Sequence, residues 1–158
     1  MVLLEDFRSE KSVILDTCFI IYELKLQKEN RLLDFCNNNK VILISFTLDE
    51  LNHVSKNMGH DKRLIRDFLK RARLNIVDVP VRPGDFLGER NFVSSFSSDL
   101  LKLIHDPSDA VLVVAAIKSG SSILTRDKHH LFTSVLSEEL SNYNVGVFND
   151  ISTYVNSC

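Results

Sequence analysis

A chain of 158 residues, 44% apolar and 25% charged, can bury one hydrophobic core but is short for two, so residues 1–158 are expected to form a single domain. Its formal net charge of -2 excludes the bulk electrostatics of a histone-like or ribosomal protein, and any nucleic-acid contact has to come from a local basic face. Cys18, Cys36 and Cys158 are an odd number without Cys-x-x-Cys spacing, which excludes a disulfide framework or a zinc ribbon and points to a reducing compartment.

From the N-terminus, residues 1–11 mix Glu5, Asp6, Arg8 and Glu10 with short apolar groups and lack the basic start and apolar run of a signal peptide. No apolar stretch is long enough to span a bilayer, so the expected location is cytoplasmic, without membrane contact. Ser12-Val13-Ile14-Leu15 reads as a buried strand that delivers Asp16 at its C-terminal end, where open α/β sheets carry their chemistry. Residues 19–37 carry helical apolar spacing, with room for a break, and end in Asn37-Asn38-Asn39. The apolar run 41–46 is a second strand. Thr47 followed three places later by Glu50 matches a capping box and predicts a helix start there.

Residues 61–73 align Leu64, Ile65, Phe68, Leu69 and Ala72 on one stripe of an amphipathic helix. The rest of that segment is basic, with Lys62, Arg63, Arg66, Lys70, Arg71 and Arg73 and with Lys56 upstream. This face suits either phosphate contact or simple solvation. Residues 75–79 form a third strand, and the Pro80 to Gly84 breaker cluster leads into a polar stretch through Ser98. Asp106-Pro107-Ser108 opens a helix that runs through Ile117 and stops at Ser119-Gly120. A short strand at 121–125 ends at Arg126-Asp127, a helix follows around 131–140, and a strand at 145–148 closes the pattern. Such alternation predicts an α/β three-layer sandwich around a central, mainly parallel sheet.

Two acids, Asp16 and Asp127, thus follow strands directly, and two more, Glu50 and Asp109, sit in the first turns of helices. Taken singly, Asp16 and Asp127 read as turn residues, Glu50 as a capping-box partner and Asp109 as a favourable first-turn acid. Gathered on one rim, four carboxylates would repel unless protonated or neutralised, and a hard divalent cation, Mg²⁺ or Mn²⁺, is the usual answer. That chemistry needs no side-chain nucleophile, and the chain has no Gly-x-Ser-x-Gly elbow, Walker loop or dinucleotide glycines. Asp106, one turn before Asp109, reads first as a helix cap and second as a ligand.

The succession Ile14-Leu15-Asp16-Thr17, Thr47-Leu48-Asp49-Glu50-Leu51, Ser108-Asp109-Ala110 and Leu124-Thr125-Arg126-Asp127 resembles the PIN-domain nuclease family over nearly the whole chain. The resemblance implies a PIN-like fold and a metal-dependent endoribonuclease that uses a metal-activated water. By the same resemblance Asp16, Glu50, Asp109 and Asp127 are the catalytic, metal-binding acids, with Thr125 supporting them and Thr17 a weaker candidate. Arg126, Lys128, Lys62 and Arg66 are candidate contacts to the RNA substrate. The family's members imply either a toxin, whose antitoxin or other protein partner covers the pocket, or an RNA-processing nuclease that self-associates into a homodimer.

Two rivals remain open from the sequence. One is a catalytically silent PIN-like scaffold that binds RNA or protein. The other is a phosphatase with Asp16 as nucleophile, for which the second Asp that such haloacid-dehalogenase-like enzymes carry is replaced by Cys18. His53, His60 and His105 lack paired zinc-site spacing, His129 and His130 read as structural or capping residues, and the ten phenylalanines read mostly as core.

Overall fold

The computed structural model describes residues 1–6, 11–26, 29–57, 59, 61–127, 131 and 133–158. Among them a six-stranded sheet forms from β1 (Val2–Leu3), β2 (Ser12–Leu15), β3 (Lys40–Ile44), β4 (Asn75–Asp78), β5 (Ser122–Leu124) and β6 (Val147–Phe148), in the order β1-β4-β3-β2-β5-β6. Every pairing is parallel. The central strands β2 and β3 are continuous apolar runs, the pattern of strands covered on both faces.

Strand alternation splits these side chains between two cores. Val13, Leu15, Val41, Leu43 and Leu124 face Phe19, Ile20, Leu32, Leu51, Phe68 and Tyr154. Those residues come from α1 (Thr17–Lys25), α2 (Glu29–Asn38), α3 (Ser45–Asn57), α4 (Asp61–Arg71) and α9 (Ile151–Ser157). On the opposite face Ile14, Ile42, Ile44, Val77 and Ile123 meet α5 (Phe86–Phe96), α6 (Leu100–Leu103), α7 (Pro107–Ser119) and α8 (Ser134–Ser141). Helix α7 is buried nearly all round from Ala110 to Ala116, which its apolar sequence requires. The three-layer α/β sandwich with a parallel central sheet is therefore the observed architecture.

Several local expectations need correction. Helix α3 begins at Ser45, so Phe46 and Thr47 lie in its first turn and Thr47 is not its cap. The chain leaves β3 early because Ser45 Oγ accepts a 2.8 Å hydrogen bond from the Val79 N–H, which ties the start of α3 to the end of β4. The polar stretch after Gly84 is largely helical: Asp85 caps α5 by accepting from Gly88 N–H at 3.0 Å. Two short elements, β1 and α9, were invisible in the sequence pattern; α9 is capped by Asp150, which accepts from Ser152 N–H and from Arg31. The expected stop of α7 holds, with Gly120 in the left-handed conformation at φ 68°.

This topology fixes where a site can form. From β2 the chain steps outward through β3 to β4, then crosses back so that β5 lies on the other side of β2. The crevice at such a reversal, beyond the carboxyl ends of β2 and β5, is where open α/β sheets bind ligands.

Candidate active site

Register brings the first two functional positions abreast. Leu15 pairs with Leu124, and Asp16 N–H donates to Leu124 C=O at 3.0 Å, so Asp16 and Thr125 emerge side by side from β2 and β5. Asp16 stands at the N-cap of α1, yet its side chain does not cap the second or third residue of the helix. Its Oδ2 instead accepts from Thr125 Oγ1 at 2.6 Å and from Cys18 Sγ at 3.0 Å. Thr125 is wholly buried, and its hydroxyl oxygen also accepts from Asp127 N–H at 3.1 Å. Because that oxygen is occupied as an acceptor, its single proton is directed at Asp16. The simple turn reading of Asp16 does not account for these bonds.

Glu50, in the second turn of α3, accepts from Thr17 Oγ1 at 3.0 Å, so the first residue of α1 holds the acid of α3. Asp109 lies in the first turn of α7, and its carboxyl hydrogen-bonds that of Asp127. Asp106 caps α7 by accepting from Ser108 N–H at 3.0 Å, as expected of it, and its charge also reaches Asp109 and Glu50.

The electrostatics follow from crowding acids in a dry place. Burial, reinforced by the charge of Asp127 and its hydrogen bond, pushes Asp109 up to about 8. Burial pushes Glu50 up to about 7 against the hydrogen bond from Thr17, with the charges of Asp16, Asp106 and Glu89 adding to it. Asp16 is raised too, chiefly by burial, in spite of the bonds from Thr125, Cys18 and the Thr17 backbone. The Cys18 thiol, pushed up to about 12 by burial and by Asp16, stays protonated as a donor at neutral pH.

Arg126 is more than a solvated neighbour: its guanidinium carbon sits 3.8 Å from the Tyr22 ring centroid, and Nη1 donates to Asn149 C=O at 3.0 Å. Lys62 and Arg66 lie on α4 and share no hydrogen bond or ion pair with the site acids among the described residues. Lys128, His60, His129 and His130 lie outside the described residues. A cleft of about 660 Å³ opens from Glu50 and Ser108 along α3, lined further by His53, Lys56, Arg82 and Phe86. Phe86, at 68% exposed, is an exception among phenylalanines that are otherwise mostly core.

Sequence reasoning missed two participants. Cys18 bridges Asp16 and Thr125, and Glu89 is a completely buried acid on α5 whose Oε1 accepts from Ser108 Oγ at 3.0 Å. The signal for Glu89 was present: it stands four and seven residues before Val93 and Phe96, an acid on the inward stripe of an amphipathic helix.

The donor set fits a hard divalent cation, since it consists of carboxylate oxygens held by hydroxyl donors in surroundings that penalise bare charge. Among the described residues, however, no three His, Cys, Asp or Glu side chains already form a metal cage. The acids approach as coupled groups and not as a finished shell.

An all-parallel α/β sandwich with acids at its topological reversal belongs to the class of sheet proteins that build their site from strand ends and helix starts. Within that class the PIN domain family matches residues 13–135, and the chain belongs to it. The family is in the main one of nucleases, typically using divalent metals. Among solved structures, a chain in the crystal structure of VapBC2 from Rickettsia felis bound to a DNA fragment from their promoter has a similar fold. It is 18% identical, with a TM-score of 0.55 over 86% of this chain and 96% of that one. No curated protein matches the chain in sequence.

Proposed function

We propose that the chain is a metal-dependent endoribonuclease. What supports this reading is the seating of Asp16 by Thr125 and of Glu50 by Thr17 beside the sheet reversal, with Asp109 and Asp127 close enough to Asp16 to influence it electrostatically. These four acids would hold Mg²⁺ or Mn²⁺. When bound, such a cation polarises the scissile phosphate, makes a water nucleophilic at neutral pH and stabilises charge on the departing oxygen.

The chain's own residues do the orienting. Thr125, fixed by Asp127 N–H, aims its proton at Asp16 and leaves the other carboxylate oxygen of Asp16 for coordination. Thr17 orients Glu50 in the same manner. Asp109, paired with Asp127, would give up its proton to become a ligand if a cation were bound, because a cation lowers the affinity of nearby carboxylates for protons. Arg126, stacked on Tyr22, offers a planar cation beside Asp127 for a substrate phosphate. Lys56 and Arg82 supply charge along the cleft, and Phe86 an exposed ring on which a base could stack.

RNA is the substrate we infer, in the cytoplasm, with either an antitoxin-like protein partner over the pocket or a second copy of the chain. Size-exclusion chromatography with light scattering distinguishes a monomer from a homodimer. One observation favours the silent scaffold instead: the acids do not form a ready metal cage among the described residues. The deciding experiment is incubation of labelled single-stranded RNA, and DNA of the same sequence, with the protein in Mn²⁺ or Mg²⁺. We expect cleavage of the RNA that EDTA abolishes and that the Asp16→Asn, Asp109→Asn double variant lacks. Failure to cleave RNA, together with failure to bind Mn²⁺ by calorimetry, would leave the scaffold as the better reading.

A further inference from the structure

Glu89 is an acid for which the four-acid site has no use, yet it is completely buried and has no cationic partner among the described residues, which is rare for a glutamate. Its Oε1 accepts from Ser108 Oγ at 3.0 Å, while Oε2 has no hydrogen-bond partner among the described residues. Ser108 stands immediately before Asp109 in the first turn of α7 and lines the same cleft as Glu50. The buried carboxylate therefore lies directly behind the wall of the acidic centre, and its charge is felt by Glu50.

Helix α5 could have filled this position with an apolar residue, since its neighbours on the same stripe, Val93 and Phe96, belong to the core around α7. An apolar side chain would avoid the cost of burying a carboxylate and would leave only the Ser108 hydroxyl to be satisfied. A glutamate with one oxygen anchored and the other free makes physical sense if positive charge comes to that end of the site.

We propose that Glu89 is a further acid of the metal centre, anchoring the Ser108–Asp109 turn through Oε1 and using Oε2 to help hold a divalent cation beside Glu50. This rests on the reading of the pocket as a metal site. It extends the acidic group inward from the cleft to α5, so that the cation-holding surface is drawn from both helical layers of the sandwich: α3 on one side of the sheet, α5 and α7 on the other.

The test is a Mn²⁺ titration by calorimetry of the wild type and of the Glu89→Gln, Ser108→Ala and Asp16→Asn variants, with thermal melting of each cation-free protein. Glu89→Gln keeps an oxygen to accept from Ser108 and removes only the charge and the free carboxylate oxygen. We expect it to weaken Mn²⁺ binding about tenfold to a hundredfold while the cation-free protein melts at the same temperature or higher. A merely structural glutamate predicts the reverse, unchanged Mn²⁺ affinity with an unchanged or lower melting temperature, and that result overturns the proposal. Should Glu89→Gln not fold, Ser108→Ala decides: weaker Mn²⁺ binding supports the proposal and unaltered binding overturns it. If Asp16→Asn abolishes binding while Glu89→Gln leaves the affinity unaltered, only the role of Glu89 falls. If wild type and Asp16→Asn bind Mn²⁺ alike, the metal site itself falls, and this inference with it.

Discussion

At the level of single residues, the fold makes several acids reluctant to ionise. Glu50 is raised to about 7 and Asp109 to about 8, both chiefly by burial. A carboxyl whose folded-state value lies above its unfolded one contributes stability that is complete below the unfolded value and is lost as pH rises through the folded value. For these two groups the loss runs from about pH 4 to about pH 8. The cation-free protein should accordingly melt at a lower temperature at pH 8 than at pH 5, and Asp109→Asn should flatten that dependence. Mn²⁺ should reverse the loss at pH 8 in the wild type; an equal melting temperature at both pH values would remove the electrostatic argument. Thr125 gives a second test. Thr125→Val deletes the proton aimed at Asp16 while keeping the shape, and activity should fall about tenfold to a hundredfold, with Thr125→Ser retaining most of it. Steady-state kinetics should show the loss in kcat, with KM little moved.

Among the elements, those with strong local signals were readable from the sequence alone. The continuous apolar runs of β2 and β3, the stripe of α4 and the Pro-to-Gly frame of α7 all have their determinants inside the segment. What escaped was decided by contacts from elsewhere. Helix α3 starts two residues before Thr47 because Val79 N–H, 34 residues away, bonds Ser45. The short β1 exists only as a partner of β4, and α9 is tied down by Arg31 reaching Asp150 at 3.2 Å. Helix α5 was masked by its polar surface, although the inward stripe of Glu89, Val93 and Phe96 was there to be read. Gly120 offers a check on a feature the sequence did carry. At φ 68° a Cβ is strained, so Gly120→Ala should lower stability by about 1 kcal/mol in a urea titration, without altering cleavage. A neutral or stabilising result would mean that the end of α7 is not held in that conformation.

For the whole molecule, the order β1-β4-β3-β2-β5-β6 is what brings Asp16 and Thr125 together at the candidate site, because it sets the carboxyl ends of β2 and β5 side by side. The sequence could announce parallel strands and acids at their ends, but not that β5 returns to the far side of β2. Resemblance to a family supplied that step. The two cores on either side of the sheet hold this arrangement. Leu43 is completely buried in the one beneath α1 and α4, and Leu43→Ala should cost about 2–5 kcal/mol by chemical denaturation.

The most direct test of a site that hydrolyses with water is the chemistry of the cut ends. A labelled RNA with a single 2′-O-methyl group at the cleavage position should be cut in Mn²⁺ by the wild type and not by Asp16→Asn, leaving no 2′,3′-cyclic phosphate. Cleavage that persists in EDTA, that stops at the 2′-O-methyl position, or that leaves a cyclic phosphate would mean that the ribose hydroxyl, and not a metal-activated water held by these acids, attacks the phosphate.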